Sequence, residues 1–573
     1  MNVWFLQDAN RYAAELAALR SAEAEADWLV IDGVRFDTEM RICVDLSITV
    51  GATERVAILR YPQTFPSTPP TVSPRDPERW SGHQYGRTEL CLEWGPDNWR
   101  PELTGADMVR SAWRLLTTET GGGTDDPAEA PTRHQTTQGQ DLRSKWARLL
   151  ITEAMSERLD ALPRGEVVKV EFIDIDRTDT SVVAPTKIIS ADGSTWENPD
   201  IPPMAKFART DDAPGYGLSP SVELPTMTTV SGLRAFLALH GYNLPSDEDA
   251  PAYERVFLWA DSGAQLIWLW REKDQVHKFS TVVAGGGQRL DPEHAVLSGK
   301  SVGIVGCGAL GSKLATSLAR AGVRTFTLID DDVLLPENLV RHDLDWASMG
   351  EHKATALARR LSFSAPGTVT TVKTQRLGAQ EASGGVDWIL SRLQDCDLII
   401  DASANPAVFN LLSSIAVTAC KPVIWAEVFG GGFGGLIARS RPGLDPAPQE
   451  ARARIEAWCA EQGVEPPRPG ADYDIGTEQG PLVADDADVA VVAAWSARFS
   501  IDLLLDRAPS QFPNSAYLLG LREEWLFTQP FHTIPLDIGE PLPTPAAAPA
   551  SPEALEALRE LFNLRSDASS PAA

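Results

Sequence analysis

The stretch from Lys300 to Arg360 constrains the fold more than any other part of the chain. It begins KSVGIVGCGALGSKLATSLARAGVRTFTLIDDD. Ser301–Val305 predicts a buried strand, and Gly306, Gly308 and Gly311 then form a G-x-G-x-x-G turn. Ala309–Ala321 reads as a helix, and Val323–Ile329 as a second strand ending at Asp330. Glycines at this spacing let the backbone approach phosphate, and the helix N-terminus favours the negative charge. An acid at the position of Asp330 can accept hydrogen bonds from ribose hydroxyls. Taken alone, this unit fits an NAD-dependent dehydrogenase.

The residues after Asp330 shift that balance. They follow the pattern D-x-D-x(5)-N-L-x-R, with Asp330, Asp332, Asn338 and Arg341, and then G-x-x-K from Gly350 to Lys353. Hydride transfer has no use for such a cluster. Splitting ATP between its α- and β-phosphates does, because charge builds on the pyrophosphate leaving group. The pattern resembles the ThiF/MoeB/HesA superfamily, the adenylating fold of ubiquitin-activating enzymes. The resemblance implies an ATP site formed by Gly306, Gly308, Gly311, Asp330, Asp332, Asn338, Arg341, Lys353 and Asp401, with Mg²⁺ accompanying the nucleotide. Relatives carry an Asp before the Asn of the next strand–helix junction as the metal ligand. Here that position is Ala404, which leaves Asp401 or Asp332 to supply a carboxylate.

The N-terminal part carries a second set of motifs. Residues 1–20 read as an amphipathic helix, and Trp28–Phe36, Arg41–Val50 and Val56–Arg60 as strands. The segment Tyr61–Pro70, YPQTFPSTPP, is too rich in proline to continue a strand or a helix. Further on come His83, the triplet Leu90-Cys91-Leu92, the run W-R-P-E-L-T at Trp99–Thr104, and a predicted helix over Ala106–Leu116. F-P-x-x-P-P, His, L-C-L and W-x-P-x-L-T in this order are similar to the ubiquitin-conjugating fold. The resemblance implies that Cys91 is a nucleophile; a buried apolar cysteine is the alternative. His83 is either catalytic or a loop cap. That family supports its oxyanion with a His-Pro-Asn triplet. The chain has His83-Gln84-Tyr85 instead, so Gln84, Asn98 or a backbone N–H would have to take that role.

Length predicts several domains, roughly three or four. The expected organisation is an α/β multidomain protein. Residues 1–119 are the conjugating-like α+β domain, 120–141 a Gly/Pro-containing linker, and 142–290 a middle α/β domain. Residues 291–540 are the Rossmann-like adenylation domain and 541–573 a mobile Pro/Ala-rich tail. Within the middle domain, Leu142–Leu162 and Val230–His240 read as helices, and Val167–Asp176, Arg255–Trp259 and Gln265–Trp270 as strands. Later, Ala490–Leu505 reads as a helix and Ser515–Thr533 as alternating strands. Gly430–Gly435 fits either a passage for a substrate tail or a hairpin turn.

The formal net charge of −28 offers no basic surface for nucleic acid or an anionic membrane. No apolar run is long enough to span a bilayer, and the N-terminus lacks the pattern of a secretory signal. The six cysteines, at 43, 91, 307, 396, 420 and 459, include no C-x-x-C pair. Free thiols in a reducing cytoplasm are therefore expected, and the four-cysteine zinc site of many ThiF-like proteins is missing.

The order of the parts resembles the fused conjugating–activating enzymes of bacterial antiphage operons, above all the CBASS ancillary enzyme that acts on a CD-NTase. That resemblance implies adenylation of a protein C-terminus, thioester formation on an activating-domain cysteine, transfer to Cys91 and ligation to a lysine amine. Cys459, on a predicted helix in a crossover between strands, is the first acceptor, although Ala447 stands where some relatives carry a Pro-Cys. The implied partners are a donor with an extended C-terminus (a CD-NTase or a ubiquitin-like protein), a target lysine and a second copy of the chain. A sulfur-carrier adenylyltransferase and a non-enzymatic adaptor are the competing classes.

Overall fold

The computed structural model describes residues 3–120, 139, 142–202, 209–219, 221–244, 254–283, 290–377, 383–466, 484–542 and 550–567. Residues 121–138, 140 and 141 of the expected linker, with its Gly-Gly-Gly at 121–123, and the tail residues 543–549 and 568–573, lie outside them. The chain divides into two compact units, Met1–Lys145 and Trp146–Ala573.

In the first unit the helix Ala9–Glu25 precedes an antiparallel sheet of β1 (Leu29–Phe36), β2 (Ile42–Val50), β3 (Thr53–Arg60) and β4 (Thr71–Pro74), in that order. The helix Gly105–Thr120 closes the core, burying Met108, Val109, Ala112, Leu115 and Leu116 at helical spacing. The proline-rich loop is held by aromatic packing. Phe65 is buried 4.6 Å from the Trp4 ring, and the Trp99 indole N–H donates to the Pro66 carbonyl at 2.7 Å. One buried carboxylate ties the unit together: Glu15 accepts from the Tyr61 hydroxyl at 2.8 Å and from the Gly105 N–H at 2.7 Å. A buried charge is tolerated only with such partners, and Arg11 supplies the countercharge at 2.9 Å.

The second unit opens with a mixed nine-stranded sheet. Its strands are β5 (Ala147–Ile151), β6 (Val167–Asp176), β7 (Ser181–Ile189), β8 (Thr195–Glu197), β9 (Arg209–Gly217), β10 (Arg255–Ala260), β11 (Gly263–Trp270), β12 (Gln275–Lys278) and β13 (Ser280–Val283). Here one expectation is corrected. Leu142–Leu162 is not a single helix but the strand β5 followed by the helix Glu153–Ala161. Ala147, Leu149 and Ile151 alternate inward and pair in parallel with β7 and β13. Thr152 starts the helix by accepting the Met155 N–H at 3.3 Å.

The last sheet runs β16 (Val369–Lys373), β15 (Thr325–Ile329), β14 (Ser301–Val305), β17 (Leu398–Asp401), β18 (Val423–Val428), β19 (Gly434–Ser440), β20 (Ala516–Gly520) and β21 (Thr533–Leu536). The first five strands are parallel and the last three antiparallel. The expected strands of Ser515–Thr533 reduce to β20 and the start of β21. β14, β15 and β17 are almost continuously buried, as strands covered on both faces must be. The helices Ala309–Ala321 and Asp486–Leu504 pack against each other beside this sheet. Chain order reverses at β14, with β15 on one side and β17 on the other. A crevice at the carboxyl ends of the strands is expected at such a point. No helix among the described residues is long and apolar enough to cross a membrane.

Candidate active site

A cleft of about 700 Å³ opens at that reversal point. It gathers Gly306, Gly308, Asp330, Asp332, Asn338, Arg341 and Lys353, seven of the residues predicted to bind nucleotide. Gly306 has φ +90°, and a Cβ there would meet the backbone of Ala402 and Ser403 at 2.7 Å. Gly308 caps the N-terminus of the helix Ala309–Ala321 with open space where a side chain would stand. Asp330, at the end of β15, accepts the N–H groups of Cys307 (2.6 Å) and Asp332 (2.8 Å). Burial nevertheless pushes its carboxyl above the ordinary range. Lys353 begins the helix Lys353–Ser364, is 9% exposed, and forms an ion pair with Asp332. Asn338 lies in a 3₁₀ turn, where its Oδ1 accepts the Leu335 N–H at 3.0 Å.

Gly311 supports the cleft without lining it. A Cβ there would lie 1.9 Å from the Gly306 carbonyl oxygen, so only glycine lets the helix approach the turn. Asp401 departs from expectation. It is 5% exposed and turned away from the cleft, with Oδ1 accepting the Ser403 N–H at 3.0 Å and the Ser403 hydroxyl at 2.6 Å. It lines a small neighbouring cavity with Glu427 and Arg452. Cys459 is on the helix Pro448–Glu461 but points inward with Ala451 and Ile455, 1% exposed, and burial raises its thiol pKa. The Gly430–Gly435 region is a 3₁₀ turn, Gly430–Gly432, leading into β19.

In the first unit, Cys91 lies at the end of a small hairpin. Gln84 and Leu90 pair across it, the Tyr85 N–H donates to the Glu89 carbonyl, and the Cys91 N–H donates to the His83 carbonyl, both at 2.9 Å. The Leu90 N–H anchors the hairpin to Val72 of β4 at 2.9 Å. Cys91 is 4% exposed. Burial raises its thiol pKa, the Tyr85 hydroxyl lowers it through a hydrogen bond, and the Glu89 charge raises it.

The two side-chain candidates for the missing oxyanion donor are engaged elsewhere. The Gln84 amide accepts from the N–H groups of Trp80 and Ser81 and donates to the carbonyls of Glu78 and Thr88. The Asn98 amide accepts the Gly95 N–H and donates to the Glu93 carbonyl. Sequence reasoning missed Tyr85; its signal was the turn glycine Gly86, at φ +61°, which makes the hairpin.

Residues 290–559 match the ThiF family. They form a ThiF domain. Over a longer span the chain is 28% identical to the uncharacterized protein y4qC of Sinorhizobium fredii (strain NBRC 101917 / NGR234), across 71% of this chain and 73% of that protein. A shorter match, 35% identical, joins 22% of this chain to 22% of the ATP-dependent ubiquitin transferase-like protein Cap2 of Pseudomonas aeruginosa (strain BWHPSA011 / Pa011). The chain thus aligns with about a fifth of that relative's length. Among solved structures, E. coli MccB with ATP is 17% identical, with a TM-score of 0.34, covering 44% of this chain and 67% of that one.

The donor set of the ThiF domain suits a nucleotide: open glycine backbone, a helix N-terminus and the cationic side chains of Arg341, Lys353 and Arg376 around one cleft. For Mg²⁺ the fit is narrower. Among the described residues no group of three or more His, Cys, Asp or Glu could hold a metal. Asp332, which lines the cleft, would hold Mg²⁺ together with phosphate oxygens and water, the mixed set this ion usually takes.

The ThiF domain also contains a buried histidine with a measurable consequence. The His342 Nδ1 accepts the Leu344 N–H at 3.1 Å, so Nε2 carries the proton and donates to the Cys307 carbonyl at 2.9 Å. Burial lowers its pKa to about 4. A histidine depressed below its unfolded value contributes stability that is complete above about pH 6.5 and lost as pH falls towards 4. The full loss is about 3 kcal/mol. Urea titrations between pH 7 and pH 4 should show this slope, and His342→Gln should flatten it. An equal slope in both proteins would place the acid sensitivity elsewhere.

Proposed function

We propose that the chain is an ATP-dependent protein-conjugating enzyme. The observation that carries this reading is the pairing, in one polypeptide, of a ThiF cleft lined by Arg341 and Lys353 with a separate α+β unit that presents Cys91 on a hairpin. The loop, hairpin and helix of that unit support a ubiquitin-conjugating-like role, and the similarity to Cap2 supports the same chemistry.

In this reading a protein C-terminal carboxylate attacks the α-phosphorus of ATP, and pyrophosphate leaves. Arg341, Lys353 and the helix N-terminus at Gly308 hold the charge that develops. Asn338 and Asp330 orient the nucleotide. The acyl group passes to a thiolate of the ThiF domain with loss of AMP, then to Cys91 by thioester exchange, and finally to a lysine amine. Cys459 is the proposed first acceptor. Because its thiol faces the core, transfer to it needs the helix Pro448–Glu461 to open. A covalent relay divides one difficult acyl transfer into easier steps. The active form is a homodimer in the cytoplasm, and the donor is the extended C-terminus of a CD-NTase.

The test is to trap the Cys91→Ser variant in cells with the products of its neighbouring genes. An oxygen ester outlives a thioester, so mass spectrometry of the peptide spanning the substituted position reads the donor's terminal residues. A CD-NTase tail is the expected result. A ubiquitin-like tail would keep the chemistry and replace the donor, and the absence of any acyl group would overturn the relay.

A further inference from the structure

The hairpin that carries Cys91 has two unlike faces. Alternation along its strands turns Gln84 and Leu90 inward, 4% and 6% exposed. The residues that flank each of them, His83, Tyr85, Glu89 and Cys91, share the opposite face, where Cys91 is itself buried and Tyr85 exposed. Tyr85 is diagonal to Cys91, and diagonal neighbours on one face lie within reach of an aromatic side chain. The Tyr85 hydroxyl makes a hydrogen bond with the cysteine side chain. Tyr85 is also 59% exposed, so no packing requirement explains an aromatic residue there. With the amides of Gln84 and Asn98 engaged in loop contacts, Tyr85 offers a side-chain donor at the sulfur.

We propose that Tyr85 is a catalytic residue of the Cys91 centre, its hydroxyl donating to Sγ whenever the sulfur carries negative charge. The inference rests on the conjugating reading given above. In the loading step the Cys91 thiolate attacks the acyl carbon of the donor thioester; a new C–S bond forms, the donor's C–S bond breaks, and the donor sulfur leaves as a thiolate. In the discharge step an amine nitrogen attacks the Cys91 thioester. A C–N bond forms, the C–S bond breaks with its electron pair remaining on Sγ, and the amine proton goes to solvent. Tyr85 keeps its own proton throughout and supplies a hydrogen bond to the anionic sulfur at the start of one step and the end of the other. A hydrogen bond to a charged group is stronger than one to a neutral group, so the contact favours the thiolate over the thiol. The other charged or titratable groups at this face are His83 opposite Cys91, Glu89 opposite Tyr85, and Arg143, whose charge reaches the Tyr85 hydroxyl.

The test needs no knowledge of the donor. The full-length protein and its Tyr85→Phe variant are alkylated with iodoacetamide across a pH series, and peptide mass spectrometry reads Cys91 and Cys420 separately. Cys420 is an exposed cysteine outside the hairpin and serves as the internal standard. Tyr85→Phe keeps the ring and removes only the donor. The expected result is a Cys91 profile shifted upward by about one pH unit, seen as a roughly tenfold slower reaction at pH 8, with Cys420 and the melting temperature unchanged. A Cys91 profile that does not move overturns the proposal and leaves the conjugating reading intact. That reading has its own failure signature, conjugates that still form in a Cys91→Ala protein.

Discussion

Lys353→Ala should lower ATP–pyrophosphate exchange by at least a hundredfold to a thousandfold, the effect of removing one well-placed donor from a developing anion. Lys353 is held at the start of its helix with its ammonium in the cleft, ion-paired to Asp332. In exchange the leaving group is pyrophosphate, and a fixed cation stabilises it without reorganising at the moment of reaction. The substitution should cost the fold little, because its partner carboxylate is 61% exposed and can return to water. Arg341→Ala should act in the same direction. Exchange is measured with labelled pyrophosphate and the cognate C-terminal peptide, beside a thermal melt. Near-normal exchange in both variants would remove adenylation from the account, and a lost fold would show in the melt.

Cys91→Ala should separate the two halves of the chemistry. Exchange belongs to the ThiF cleft and should remain within about twofold of the parent, while conjugate formation should disappear, since no other step can replace a covalent acyl carrier. Ala removes only the sulfur, at a position whose chain neighbours Leu90 and Leu92 are themselves buried. The readout is a pair of assays on one preparation: pyrophosphate exchange, and reducing-agent-resistant conjugates on a gel. Conjugates at the parental rate would make Cys91 a structural cysteine. A companion variant, Cys459→Ala, decides the order of transfer. If Cys91 still becomes loaded, the acyl group reaches it from another residue or from the adenylate.

The organisation of the ThiF cleft was legible because each part is encoded by neighbours in the chain. The helix Ala309–Ala321 was readable residue for residue from its periodicity and from the glycines that precede it. Asn338, Arg341 and Lys353 reached the same cleft because they follow one strand in a short stretch with its own turns. The strands β6 and β11 and the helix Gly105–Thr120 likewise appeared where alternation or helical spacing placed them, within a few residues.

What remained hidden depended on partners far along the chain. The stretch Ala147–Ile151 has the leucine and arginine content of a helix, yet parallel pairing with β7 and β13 makes it a strand, and those partners begin more than thirty residues later. Asp401 sits at the correct end of β17, but its carboxylate closes a local turn with Ser403 rather than facing the cleft, and sequence spacing does not choose between the two. Gln84 and Asn98 looked like free amides until the loops around them were seen to engage both ends of each. Tyr85 shows the converse. Six positions separate it from Cys91, and only the hairpin through Gly86 brings a phenol to the sulfur. The sequence by itself determined the glycine turn, the cationic cluster and the candidate nucleophile, because short-range periodicity and residue type suffice for them. Tertiary structure decided which polar side chains face those groups, because a side chain's hydrogen-bond partners are set by packing rather than by position in the chain.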